Sequence, residues 1–188
     1  MKKKVLLAVV VFSLFGATGL FAQEWTSYSP EFQEGDIAIQ AGIGLLAGFY
    51  GDTTIPPISV SVDYAQPIAD LPFSFGGIVA YAKSEDDYSY FGYNWTYEYS
   101  YILIGGRAAY HVDFGVDNLD TYAGVLLGFN IVNSSVSGDS WGSSSADSSY
   151  MLYGAYAGAR YFFTDNIAAF GEVGYGMGLI TLGATFKL

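Results

Sequence analysis

The feature that most constrains this chain is a two-residue alternation repeated eight times, over residues 36–45, 58–65, 73–82, 101–111, 120–131, 151–162, 167–176 and 180–188. In the first segment Ile37, Ile39, Ala41, Ile43 and Leu45 alternate with Asp36, Ala38, Gln40, Gly42 and Gly44. In the fifth, Thr121, Ala123, Val125, Leu127, Phe129 and Ile131 alternate with Asp120, Tyr122, Gly124, Leu126, Gly128 and Asn130. One face of every segment carries no charge. All the charged residues of these segments, Asp36, Asp63, Arg107, Asp120, Arg160, Glu172 and Lys187, fall on the other face. A period of two belongs to strands. After residue 22 no uncharged apolar run approaches the roughly 20 residues that a membrane-spanning helix needs.

An uncharged face on all eight strands predicts an all-β fold: an eight-stranded antiparallel transmembrane β-barrel, with lipid outside and polar groups inside. A soluble ligand-binding barrel is the mirror assignment. It would put eight apolar faces inside one narrow barrel and leave little charge outside. Tyr64, Tyr110, Tyr161 and Tyr175, near strand ends, suit an interfacial girdle. The links alternate in length. Residues 46–57, 84–98 and 133–149 read as long loops, the last of them Gly/Ser-rich and mobile. Residues 66–72, 112–119 and 163–166 read as short ones, and the turn at Met177-Gly178 as very tight. An even strand count returns both termini to the periplasmic side. Strand glycines leave room for large inward residues such as Tyr101, Tyr122 and Tyr156.

Lys2, Lys3 and Lys4, the apolar stretch Val5–Phe15, and Leu20-Phe21-Ala22 before Gln23 have the order of a cleaved export signal, so residues 1–22 are expected to be a signal peptide. A retained anchor is the alternative. Residues 23–34 then form a short periplasmic segment and residues 35–188 the barrel. The exported part keeps four basic side chains against eighteen acidic ones, a net charge of −14, which repels nucleic acid. There is no cysteine.

In the C-terminal third, Gly158-Ala159-Arg160-Tyr161-Phe162-Phe163-Thr164-Asp165-Asn166 leads into Phe170-Gly171-Glu172-Val173-Gly174-Tyr175-Gly176, and the chain ends Leu182-Gly183-Ala184-Thr185-Phe186-Lys187-Leu188. Gly105-Gly106-Arg107-Ala108-Ala109-Tyr110 repeats the arginine-bearing strand pattern earlier. These segments resemble the porin-like outer-membrane β-barrel family of the OmpA transmembrane domain and OmpX. The resemblance implies a bacterial outer-membrane location, contact with outer-membrane lipid, insertion by the β-barrel assembly machinery and no single shared activity. One departure is that Leu188 is terminal, where the family usually ends in an aromatic residue.

Candidate sites follow from the faces. Arg107 and Arg160 are expected to pair with Asp63 or Glu172 in a lumen charge network, as a plug or as a switchable gate. His111, the only histidine, lies opposite Asp120 across a short link and reads as a structural rim pair. It has no evident nucleophile or metal partner. The acidic triplet Glu85, Asp86 and Asp87 lacks the pattern of a calcium loop. The aromatic residues Tyr88, Tyr90, Phe91, Tyr93 and Trp95, with Trp141 in the third long link, are surface-loop candidates: anchors for a partner, or extensions of strands above the membrane. No catalytic, cofactor or metal site is expected. The leading function is a non-enzymatic structural or surface-interaction role with an unidentified surface ligand. A narrow, porin-like channel, with or without a gate, is the alternative, and a membrane-embedded enzyme is the third reading.

Overall fold

The computed structural model describes residues 28–90, 93–138, 144–174 and 176–188. The expected signal peptide, Phe91, Trp141 and Tyr175 lie outside these residues. So do the side chains of Tyr90, Gly138 and Ser144. Eight antiparallel strands form one closed ring: β1 (Ile37–Leu45), β2 (Asp52–Ala65), β3 (Phe73–Tyr90), β4 (Tyr93–Val112), β5 (Leu119–Gly138), β6 (Ser144–Phe162), β7 (Ile167–Gly174) and β8 (Ile180–Lys187). Each strand pairs with its sequence neighbours, and β1 closes on β8 from Ala38↔Lys187 to Leu45↔Ile180. Closure pairs every strand with a neighbour on both sides around the ring, which is the condition for placing strands in lipid; β6 is paired with β7 over Tyr156–Phe162 and with β5 along its length.

The outer surface is apolar all the way round. Val60, Val79, Ile104, Val125, Leu127, Met151, Tyr153, Val173 and Leu182 are each at least half exposed there. In water so large a patch would drive association. Facing hydrocarbon it is the expected surface of a spanning barrel.

The strands are unequal. β7 and β8 have 8 residues and β1 has 9, whereas β3, β4, β5 and β6 have 18 to 20. At about 3.3 Å per residue and a tilt near 40°, a 20-residue strand rises about 50 Å, twice the ~25 Å apolar band of such barrels. β3–β6 therefore form a tall wall on one side, and β7, β8 and β1 a low one. This corrects the sequence reading of 84–98 and 133–149 as loops. The described residues of those stretches belong to β3, β4, β5 and β6, and β2 likewise begins at Asp52 instead of near residue 58.

The register shows why the pattern was obscured. Across β3–β6 the outward rows Lys83–Ser100–Asn133–Asp147 and Glu85–Glu98–Ser135–Ser145 follow directly on Tyr81–Ile102–Ile131. The alternation continues but its polarity reverses. Outward positions become polar, while inward ones carry Tyr97, Tyr99, Tyr101, Val132 and Val136. Such a reversal is expected where strands of a spanning barrel leave the lipid.

Candidate functional site

Two regions carry the polar and aromatic side chains that could do chemistry or bind: the filled lumen and the inner face of the tall wall. In the half of the lumen nearer the termini, Asp63 on β2 lies between two arginines. Arg107 on β4 donates from Nε to Asp63 Oδ1 at 2.9 Å and from Nη2 to Glu172 Oε1 on β7 at 2.6 Å. Arg160 on β6 donates from Nη2 to Asp63 Oδ2 at 2.5 Å and from Nη1 to Asp120 Oδ2 at 3.1 Å. The four residues expected to form the lumen network are thus brought together, and Asp120 joins them.

Burial demands further partners, since an uncompensated charge inside a barrel costs several kcal/mol. Arg107 Nη1 donates to Ser61 at 3.3 Å and its Nε also reaches the Tyr156 hydroxyl at 3.1 Å. Arg160 reaches Gln40 Oε1 at 3.2 Å. Its guanidinium also lies 4.4 Å from the Tyr122 ring centroid and 5.0 Å from that of Phe32. Tyr122 donates to Glu172 Oε1 at 2.8 Å. The glycines have the expected use here. A Cβ on Gly158 would lie 2.7 Å from Glu172 Cγ and 2.8 Å from the Tyr122 ring, and one on Gly124 2.7 Å from the Tyr156 ring.

His111 has a partner that sequence reading missed. Its Nδ1 lies 2.8 Å from Asp120 Oδ1 and its Nε2 lies 2.9 Å from Ser74 Oγ. The order Ser–His–Asp is that of a hydrolase triad. All three are nevertheless at 0% exposure. Ser74 lies within the β3–β4 ladder, paired with Ala109, and the rings of Phe32 and Tyr28 cover His111 at 4.8 and 5.7 Å. The trio ties β3, β4 and β5 together beneath these rings at the mouth of the barrel.

That mouth is closed by the segment ahead of β1. Phe32 is fully buried, Ser29 donates to Asp120 Oδ1 at 3.4 Å, and Lys187 Nζ donates to the Glu31 carbonyl at 2.7 Å. Burial, reinforced by Glu34 and Asp120, pushes the Tyr28 hydroxyl pKa up to about 12. Within 23–34, expected as a short periplasmic segment, the described residues from Tyr28 therefore form a plug. Aromatic residues scattered without a period through a short polar segment gave no sequence signal for it.

The other half of the lumen is sealed by apolar groups. Ala80, Ala82, Tyr101, Leu103, Leu126, Leu152 and Met177 form a buried cluster with Phe49 and Ile78 packed against it. Phe49, from the β1–β2 turn, stacks on Tyr101 with centroids 4.3 Å apart. Met177, from the β7–β8 hairpin, is 7% exposed. Between this seal and the Arg107–Glu172 pair lies a cavity of about 60 Å³. It is room for a few waters.

Beyond the seal, the inner face of the tall wall stands open. Its rows are Ser84–Tyr99–Ser134, Asp86–Tyr97–Val136 and Tyr88–Trp95–Gly138. Tyr88 meets Tyr97 edge-on at 5.6 Å and donates its hydroxyl to Asp86 Oδ2 at 2.9 Å. Tyr50 tilts against Tyr99 at 6.3 Å. Of the expected surface-loop residues, Tyr88, Tyr93 and Trp95 are strand residues. Tyr93 is stacked near Trp95 at 6.3 Å. No group of metal-ligating side chains occurs among the described residues.

No protein-family model matches the chain, and no curated protein does. Solved structures do. The chain is similar to a major outer membrane protein from Thermus thermophilus, at 14% identity and a TM-score of 0.62, over 83% of this chain and 100% of that one. It is also similar to Ail, the attachment invasion locus protein of Yersinia pestis, solved with the heparin analogue sucrose octasulfate. That match has 16% identity and a TM-score of 0.49, over 83% and 100% of the two chains. The N-terminal β-barrel domain of Pseudomonas aeruginosa OprF matches at 18% identity and a TM-score of 0.49, over 82% and 98%. The chain thus has the fold of the small outer-membrane β-barrels, an all-β barrel like that of OmpA and OmpX.

Proposed function

We propose that this chain is a non-enzymatic barrel of the bacterial outer membrane that holds the β3–β6 wall outside the cell as a surface for interaction. The observation that carries this reading is the reversal of face polarity at the Lys83–Ser100–Asn133–Asp147 row, above which all four strands continue. A strand extended beyond lipid with a polar outer side is built to stand in water. The termini and the short turns then lie on the periplasmic side. The buried Ser74–His111–Asp120 trio gives an enzyme no accessible nucleophile.

The lack of native cysteine allows a direct test of orientation and exposure. Asp87→Cys on the tall wall should react with a membrane-impermeant maleimide on intact cells. Asp117→Cys, in the turn between β4 and β5, should react only after the outer membrane is opened. Labelling in the reverse order would overturn the orientation, and protection of both would remove the surface role.

A further inference from the structure

The inner face of the tall wall is neither lumen nor lipid contact. Below the seal, inward side chains are enclosed by the whole ring. Above it, β7, β8 and β1 have ended, and the inner face of β3–β6 looks across open space. Tyr88 is 55% exposed and Tyr50 77%, while Trp95 and Tyr97 lie half-buried along the sheet. Alternation sends Tyr93, Trp95, Tyr97 and Tyr99 to this side, which makes β4 a file of rings. Asp86 is set among them by its hydrogen bond from Tyr88.

The charge on this part of the molecule selects the occupant. Asp86 lies on this inner face, and Asp52, Glu85, Asp87, Glu98 and Asp147 lie on the outer side of the same strands, against one base, Lys83, which is also outward. Lys83 is already engaged at 3.3 Å by both Glu85 and Glu98. Arg107, Arg160 and Lys187 lie in the lumen or at the far rim. Anionic ligands and a second copy of this chain are repelled by such a field. A neutral ligand gains nothing from it. Aromatic faces beside a carboxylate in an acidic field attract cations, arginine above all, because its flat guanidinium stacks on a ring while its edge donates to an oxygen. The open face has the form of a long sheet, not of a closed pocket, and so fits an extended chain.

We infer that the inner face of the tall wall, centred on Asp86, Tyr88, Trp95 and Tyr97, binds an arginine- or lysine-bearing peptide segment. This rests on the proposed surface role, because only an exposed wall meets such a partner.

The test uses the refolded mature protein in lipid nanodiscs and a fluorescent octa-arginine peptide, followed by anisotropy. Binding is expected at low salt and should weaken as salt rises. The Trp95→Leu/Tyr97→Leu double variant, which leaves net charge unchanged, should lower affinity tenfold or more. Asp86→Asn alone should lower it severalfold. Glu98→Gln/Asp147→Asn, which removes two charges from the outer side of the same strands, should change it by less than about threefold. Greater loss in that last variant than in the aromatic one would mean general adhesion to an acidic surface and would overturn the site. The heat-dependent gel shift of a folded barrel checks each variant; should the double variant not fold, Asp86→Asn beside Glu98→Gln/Asp147→Asn decides. No peptide binding by a wild-type protein whose Asp87→Cys form labels on intact cells would sink this inference and leave the surface role standing.

Discussion

Asp63 is the residue on which the lumen turns, because each of its oxygens serves a different arginine: Oδ1 takes Arg107 and Oδ2 takes Arg160. Three carboxylates, Asp63, Asp120 and Glu172, face two guanidiniums, and every member except Glu172 is almost wholly buried. Taking out one arginine is then far worse than losing two hydrogen bonds, since buried carboxylates stay behind without their counter-charge. Arg160→Met should destabilise the barrel by about 3–5 kcal/mol, the usual cost of breaking a buried pair from one side. Asp63→Asn/Arg160→Met should recover part of that loss, because the orphaned charge goes as well. Urea unfolding in detergent micelles, read by the heat-dependent gel shift, measures both. Equal losses in the single and double variants would show that the ion pairs contribute nothing beyond side-chain packing. The arginines and two of their acids were legible in the sequence, since any charge on the inward face of a narrow barrel needs an opposite charge. Asp120 was assigned elsewhere because spacing put it opposite His111. Only the register shows that one of its oxygens faces His111 and the other Arg160.

At the scale of elements, the short segment before β1 is as much a part of the barrel as the strands. It makes a tight turn, with Phe32 N–H donating to the Ser29 carbonyl at 3.2 Å, and drives one ring into the mouth. Phe32 contacts His111 and the Arg160 guanidinium and is fully buried. Phe32→Ala should cost about 3–5 kcal/mol, the range for a buried phenylalanine, if the segment is fixed. It should also raise hydrogen exchange in residues 28–36 well above that of the strands. A loss below about 1 kcal/mol would mean that the segment samples the open mouth freely. The sequence could not announce this element, because a single buried ring has no period. The tall strands failed to show for a different reason. Alternation was present through 84–98 and 133–149, but a reader looking for an apolar outward face finds Glu85, Glu98, Asn133 and Ser135 there. The strand cores were legible because lipid imposes one rule on every outward position, and that rule stops where the lipid stops.

The whole molecule is a barrel closed twice, by unlike means. Near the termini the closure is ionic and aromatic, with Arg160, Asp63, Asp120, Tyr122 and Phe32 filling the section. Near the tall wall it is apolar, with Leu103, Leu126, Leu152, Met177 and Tyr101. Eight strands leave an interior that side chains just fill, so either layer suffices to stop ions. This bears on the gated-channel reading of the charge network. Releasing Arg107 and Arg160 from their carboxylates would open one layer and leave the other intact, and apolar constrictions hold back water as well as ions. Planar-bilayer recordings of the refolded protein should therefore be silent, and Arg107→Ser/Arg160→Ser should be silent too. Leu126→Ser/Met177→Ser alone should also fail to conduct, because the ionic layer remains below it. Only the four changes together, in a protein still shown to fold by its gel shift, should give steady conductance. Current from the arginine variant by itself would mean that the apolar layer is breached in the membrane, and would restore the arginines as a gate.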